Sequence, residues 1–172
     1  MKWIVKEINK NGTLSKETVE EYARRMNDIV NPYYKKGLMG FMTMGCYKRS
    51  IEEENQKVAF LWPSGVSTTP SNSVGFAYAI YRKRPGSIKC IEPPFLQIKQ
   101  IVVQEEYGRK KGGAALMKWA EQLYPEDIPI ALQLMPDNKL ACNFYKKNGF
   151  VHKESIKTGK NKDRTEDVMV LF

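Results

Sequence analysis

The chain has 172 residues, of which 42% are apolar, enough to bury a sizeable core without help from a metal or a disulfide. Lys and Arg number 28 against 19 Asp and Glu, and the net charge of +9 favours anionic partners: a phosphorylated cofactor, a nucleic acid or an anionic surface. Cys46, Cys90 and Cys142 lie far apart and His152 is the single histidine, which argues against a zinc site or a disulfide framework and for free buried thiols in a reducing compartment. No apolar run approaches membrane-spanning length, so a cytoplasmic chain with no membrane partner is expected.

Residues 2–8 read as a first strand. Ser15 is placed as a helix N-cap, followed by Val19, Tyr22, Ala23, Met26 and Val30 at helical spacing, with Asn31-Pro32 as the stop. Tyr33 to Gly37 reads as a linker or a second helical turn. Phe41 to Tyr47 reads as a strand and the charged run 49–57 as a turn or excursion. Val58 to Trp62 is a further strand, and Ser67 to Ser73, rich in Ser, Thr and Pro, a mobile loop.

Strands are expected at 74–81, 95–103, 128–135, 150–157 and 167–172, and helices at 109–124 and 137–147. The order β-α-β-β-β-α-β-α-β-β implies a central sheet, mostly antiparallel early, with helices on both faces and the strand at 128–135 parallel to the one at 95–103. No repeat or linker divides residues 1–172, so one domain is expected.

The helix start at 108–114, Gly-Arg-Lys-Lys-Gly-Gly-Ala, breaks two local rules. Arg109, Lys110 and Lys111 sit at the positive end of the helix dipole, each unfavourable by roughly 0.3–1 kcal/mol. Gly112 and Gly113 each cost about 1 kcal/mol relative to Ala. A bound pyrophosphate offsets both, because free backbone N–H groups receive it and glycines let it approach. The alternative is a solvated basic turn. There is no GxxxxGK[ST], and no GxGxxG follows a strand.

A second constellation runs Asn138-Lys-Leu-Ala141-Cys-Asn-Phe144-Tyr145-Lys-Lys-Asn148-Gly149-Phe150. Ala141 and Tyr145 share a helix face with Asn138, Gly149 supplies a left-handed cap and Phe150 turns inward. The pattern N-x-x-A-x-x-F-Y-x-x-x-G-F after a strand resembles motif B of the GNAT superfamily of N-acetyltransferases. The preceding segment resembles motif A, with the core [Q/R]-x-x-G-x-[G/A]. Two registers are open: Arg109-x-x-Gly112-x-Ala114 satisfies the core, whereas alignment on Glu106-Tyr107 puts Lys111 at the first glycine and Gly113 at the second.

The resemblance implies a GNAT-like mixed α/β (α+β) fold with six to seven strands. It implies transfer of an acetyl group from acetyl-CoA to a primary amine by direct attack in a ternary complex, with no metal. Carried over, Ile101 and Val103 hold the pantetheine arm through their backbone, Gly108, Arg109, Lys110, Lys111, Gly112, Gly113 and Ala114 cradle the pyrophosphate, and Asn138 contacts the cofactor or fixes its helix start. Tyr145 matches the general acid: a phenol of pKa about 10 stays protonated and donates to a thiolate whose parent thiol has a pKa of about 8.5.

The base is unassigned; Glu92, Glu105 and Glu106 are candidates, and Gln97 and Gln100 are suited only to orienting water. Cys142, with no histidine partner, reads as packing rather than as a nucleophile. The acceptor class is open. Two alternatives are a nucleic-acid-linked amine, for which Arg82-Lys83-Arg84 supplies charge, and an acyl-CoA-binding module without catalysis. The chain is expected as a monomer or homodimer.

Overall fold

The computed structural model describes residues 1–125 and 127–172. Strand β1 (Trp3–Glu7) leads to helix α1 (Lys16–Lys35), helix α2 (Met44–Glu52) and strands β2 (Gln56–Pro63), β3 (Gly75–Arg82) and β4 (Phe95–Val103). Helix α3 (Gly112–Glu121), strand β5 (Ile130–Leu134), helix α4 (Lys139–Lys147) and the hairpin β6 (Val151–Thr158) and β7 (Arg164–Leu171) complete the chain. One seven-stranded sheet runs in the order β1-β2-β3-β4-β5-β7-β6. Only the β4–β5 pair is parallel among the described residues; the other neighbours are antiparallel.

Helix α1 forms where its apolar stripe predicts, and the Ser15 hydroxyl caps it by accepting from the Thr18 N–H. Val19, Tyr22, Ala23, Met26, Ile29 and Val30 bury that stripe against Phe60, Phe76 and Val102 of the sheet. Burial of each large side chain contributes about 1.5–3 kcal/mol. The helix does not stop at Asn31-Pro32: Pro32 lies inside it and the last helical residue is Lys35. A mid-helix proline costs about 3 kcal/mol. That cost is offset by the packed stripe before it and by Tyr33, whose hydroxyl donates to the Val103 carbonyl at 2.5 Å.

The expected strand at 41–47 is instead the approach to α2. Thr43 caps this helix by accepting from the Cys46 N–H, and Tyr47, Ser50 and Ile51 are buried at the i, i+3, i+4 spacing of a helix face. The segment 67–73 is tied down. Trp62 Nε1 donates to the Thr69 carbonyl at 2.7 Å, Asn72 Nδ2 donates to the Ser67 hydroxyl at 2.9 Å, and Arg25 Nε reaches the Ser73 carbonyl at 3.1 Å.

Helices α1 and α2 cover one face of the sheet; α3 and α4 cover the other, over Leu61, Ala77, Leu96, Ile98 and Leu132. Cys46, Cys90 and Cys142 are free thiols, but each is partly exposed rather than buried. Among the described residues, no helix is long and apolar enough to cross a membrane.

Candidate active site

The site begins where the parallel ladder ends. Strands β4 and β5 pair through Leu96–Ile130, Gln97–Ala131 and Ile98–Leu132 and no further, although β4 continues to Val103 and β5 to Leu134. A bulge causes the divergence. Tyr78 on β3 opposes Gln100 while the adjacent Ala79 opposes Ile98, which leaves Lys99 as the extra residue. Such a bulge bends its strand and sharpens the local twist. The sequence carries the sign of it: polar residues at 97, 99 and 100 break the alternation of FLQIKQIVV.

Backbone groups on the open edge are then available. The Gln104 N–H donates to Val74 on the β3 side at 2.8 Å, so alternation turns Ile101 and Val103 toward β5. Ile101 faces the gap, whereas the Val103 carbonyl already accepts the Tyr33 hydroxyl.

Beyond β4, a short 3-10 turn at Glu105–Tyr107 and the exposed residues Gly108 to Lys111 lead into α3. Lys111 adopts a left-handed conformation (φ 64°) and gives the helix no side-chain cap. Among the described residues, the Lys111, Gly112, Gly113 and Ala114 N–H groups meet no backbone acceptor, and the first helical bond runs from Ala115 to Lys111. These are the free donors of a helix N-terminus, presented beside Arg109 and Lys110. Trp3 pins the turn: its Nε1 donates to the Lys110 carbonyl at 2.7 Å, and its ring meets Tyr107 edge-on at 6.0 Å.

The glycines answer to packing. A Cβ on Gly112 lies 2.7 Å from Leu61 Cδ2, and one on Gly113 lies 3.2 Å from Phe144 Cε2. Gly112 therefore lets α3 settle on the sheet and Gly113 lets α4 settle on α3. The helix starts at Gly112.

Helix α4 packs Tyr145 into the core cluster that also holds Ile98 and Leu132, the last pair of the parallel ladder. Asn138 caps the helix, its Oδ1 accepting from the Ala141 N–H at 3.2 Å and its Nδ2 donating to Leu38 in the α1–α2 connection at 3.4 Å. Gly149 (φ 90°) ends α4, as the sequence predicts. Tyr145 is buried between the edges of Phe144 and Phe150, with centroids 5.1 and 5.4 Å away. Burial raises its pKa far above the ordinary phenol value, so it holds its proton at any physiological pH. Its hydroxyl makes no hydrogen bond among the described residues.

The carboxylates named from sequence lie on the surface, and Glu105 and Glu106 act on Tyr33, whose hydroxyl sits on the Val103 carbonyl. Glu105 is exposed and pairs with Lys36 at 3.2 Å, and Glu92 and Glu106 are exposed. A polar network runs across β3, β4, β5 and β7 beside the end of the ladder. Arg82 Nε donates to Gln97 Oε1 at 2.8 Å, Gln97 Nε2 approaches Gln133 Oε1 at 3.4 Å, and Gln133 Nε2 donates to Glu166 Oε2 at 3.2 Å. Ser87 also donates to Gln133 Oε1. Tyr78 donates to Gln56 at 2.5 Å, and burial pushes both Tyr78 and Tyr47 up to about 12. Gln100, buried beside Tyr47, leaves its Oε1 without a partner among the described residues. Sequence reading missed Lys99, Gln133 and Glu166, which converge only through the bulge and the β5–β7 pairing.

The structure thus holds a parallel pair that parts early, a cationic turn of free N–H donors and a buried protonated phenol. The chain belongs to the Acetyltransferase (GNAT) family, whose model matches residues 43–150. No curated protein sequence matches it. Among solved structures it resembles Arabidopsis thaliana NAA60 in complex with a bisubstrate analogue (14% identity, TM-score 0.73, 99% of each chain covered). It also resembles the NatC complex bound to Gag peptide and CoA (16%, TM-score 0.68, 99% of this chain and 98% of that one). A third likeness is to the diaminobutyrate acetyltransferase EctA from Paenibacillus lautus, in complex with L-2,4-diaminobutyric acid and coenzyme A (12%, TM-score 0.66, 98% and 93%). At these identities the likeness speaks for the fold.

Proposed function

We propose that this chain transfers an acetyl group from acetyl-CoA to a primary amine by direct attack in a ternary complex. The observation that carries the reading is the early end of the β4–β5 ladder, at Ile98 and Leu132, on a strand that runs on to Val103 and leads into the uncapped start of α3. The gap suits an extended arm that pairs with the free edge of β4 at Ile101. The N–H groups of Lys111 to Ala114, with Arg109 and Lys110, suit the pyrophosphate at its far end. Asn138 serves this arrangement as the cap that sets the start of α4, and so the position of Tyr145.

The amine approaches from the face of α1 and α2 and attacks the thioester carbonyl carbon. The C–N bond forms as the C–S bond breaks, Tyr145 gives its proton to the departing thiolate, and the proton that the nitrogen sheds restores the phenol through solvent. A small amine or a peptide amine suits a cleft bounded by the α1–α2 connection and the β6–β7 hairpin. NatC was captured with a peptide and EctA with a small diamino acid, which supports both acceptor kinds.

The test is acetyl-CoA turnover across a panel of peptide amines, diamino acids, polyamines and aminoacyl-tRNA, with the products identified by mass. Acetylation of at least one free peptide or small-molecule amine is expected. Acetyl-CoA binding with no transfer to any member would replace the reading with that of a binding module.

A further inference from the structure

Lys99 occupies a distinctive place. It is the extra residue of the β4 bulge, level with the point where the parallel ladder stops, so it stands at the rim of the gap. The bulge puts Lys99 and Gln100 together on the α1–α2 face, where Gln97 and Gln133 also lie. Among the described residues Lys99 makes no ion pair and no hydrogen bond. Its surroundings lower its pKa, first because neighbouring atoms displace part of its water although the residue is exposed, then because Arg82 adds like charge.

The charge around it does not balance. Arg82 from β3 acts on Lys99 as a second cation. Glu166 from β7 opposes it, but Glu166 is already held by the Gln133 amide. An unpaired ammonium in partly water-excluded surroundings gains when an anion arrives.

We propose that Lys99, supported by Arg82, recognises an acidic group on the acceptor, so that the preferred substrates are amines with a carboxylate a few bonds away. This rests on the acyltransferase reading and adds the acceptor's charge to it. The placement sets the spacing. Lys99 is next to the strand edge where the thioester would lie, so the group it holds and the attacking nitrogen belong to one small unit. An N-terminal aspartate or a diamino acid has that spacing.

The test uses matched acceptors that differ only in carboxylate against carboxamide: Asp-Ala-Ala amide with Asn-Ala-Ala amide, and 2,4-diaminobutyric acid with its primary amide. Their binding to CoA-loaded protein is measured by calorimetry, which does not depend on transfer and so separates this inference from the turnover test. At least tenfold tighter binding of the carboxylate member is expected in one pair, and the pair that shows it tells a peptide acceptor from a small-molecule one. The preference should vanish in Lys99→Met, weaken in Lys99→Gln and stay in Lys89→Met, a control outside the cleft, with CoA affinity unchanged in all three. Equal binding within both pairs, no binding of any member, or a preference that survives both Lys99 variants would overturn the proposal.

Discussion

The Tyr33 hydroxyl on α1 donates to the carbonyl of Val103, the last residue of β4, across 70 positions of sequence and at 2.5 Å. One bond thus ties the helix that walls the acceptor side to the strand edge assigned to the cofactor. It also places a protein donor on a carbonyl that the sequence assigns to the pantetheine arm. Tyr33→Phe should reduce stability by about 1 kcal/mol, the usual worth of such a bond. Acetyl-CoA affinity should not fall, because a carbonyl oxygen relieved of one donor is freer to take another. Thermal melts and calorimetric titration of the variant check both.

Tyr145→Phe should cut kcat by about 10²- to 10⁴-fold, the range of general acid catalysis, while the acetyl-CoA dissociation constant stays the same. Thermal stability should change little, because the lost hydroxyl has no partner among the described residues and the ring keeps its place between Phe144 and Phe150. A loss of fold in the variant, seen by circular dichroism, would mark Tyr145 as a packing residue instead.

Gly112→Val should destabilise the protein by roughly 1–3 kcal/mol through overpacking against Leu61, which is fully buried, even though valine is the better helix former. Differential scanning calorimetry checks this. If stability held while CoA affinity fell, Gly112 would instead be needed for the close approach of an anion.

Stability should fall as the pH rises above about 10, where tyrosines of an unfolded chain ionise. Tyr47 and Tyr78 are pushed up to about 12 and Tyr145 is raised as well, so the folded state keeps protons that the unfolded state sheds. The stabilisation is complete below the unfolded pKa and is lost as the pH climbs through the folded values. Denaturant melts from pH 9 to pH 12 should show the fall, and Tyr47→Phe and Tyr78→Phe should flatten it.

Much of the scaffold was legible in the sequence because its signals are local. The Ser15 cap, the FLQIKQIVV strand and the Asn138 to Phe150 unit each carry their own punctuation, and the structure places all three as read. The misreadings came from forces at a distance. Pro32 stays helical because Tyr33 is anchored on β4, and 41–47 leads into a helix because Tyr47 and Ile51 find a core that only the folded sheet supplies. The site divided in the same way. The α3 turn and Tyr145 stand in motifs that the sequence displays, whereas Gln133 and Glu166 come from two strands and meet only after β5 has paired with β7. Gly112 and Gly113 stand out in the sequence as poor helix formers at a helix start, yet their neighbours Leu61 and Phe144 show a packing role that spacing alone does not reveal.

Initial-rate kinetics with acetyl-CoA and the amine varied together test the central claim most directly. Direct transfer across the β4–β5 gap requires both substrates to be bound at once, so intersecting double-reciprocal lines are expected, with no acetyl group found on the protein after acetyl-CoA alone. Parallel lines, with an acetylated Cys46 or Cys142 trapped by mass spectrometry, would contradict the account.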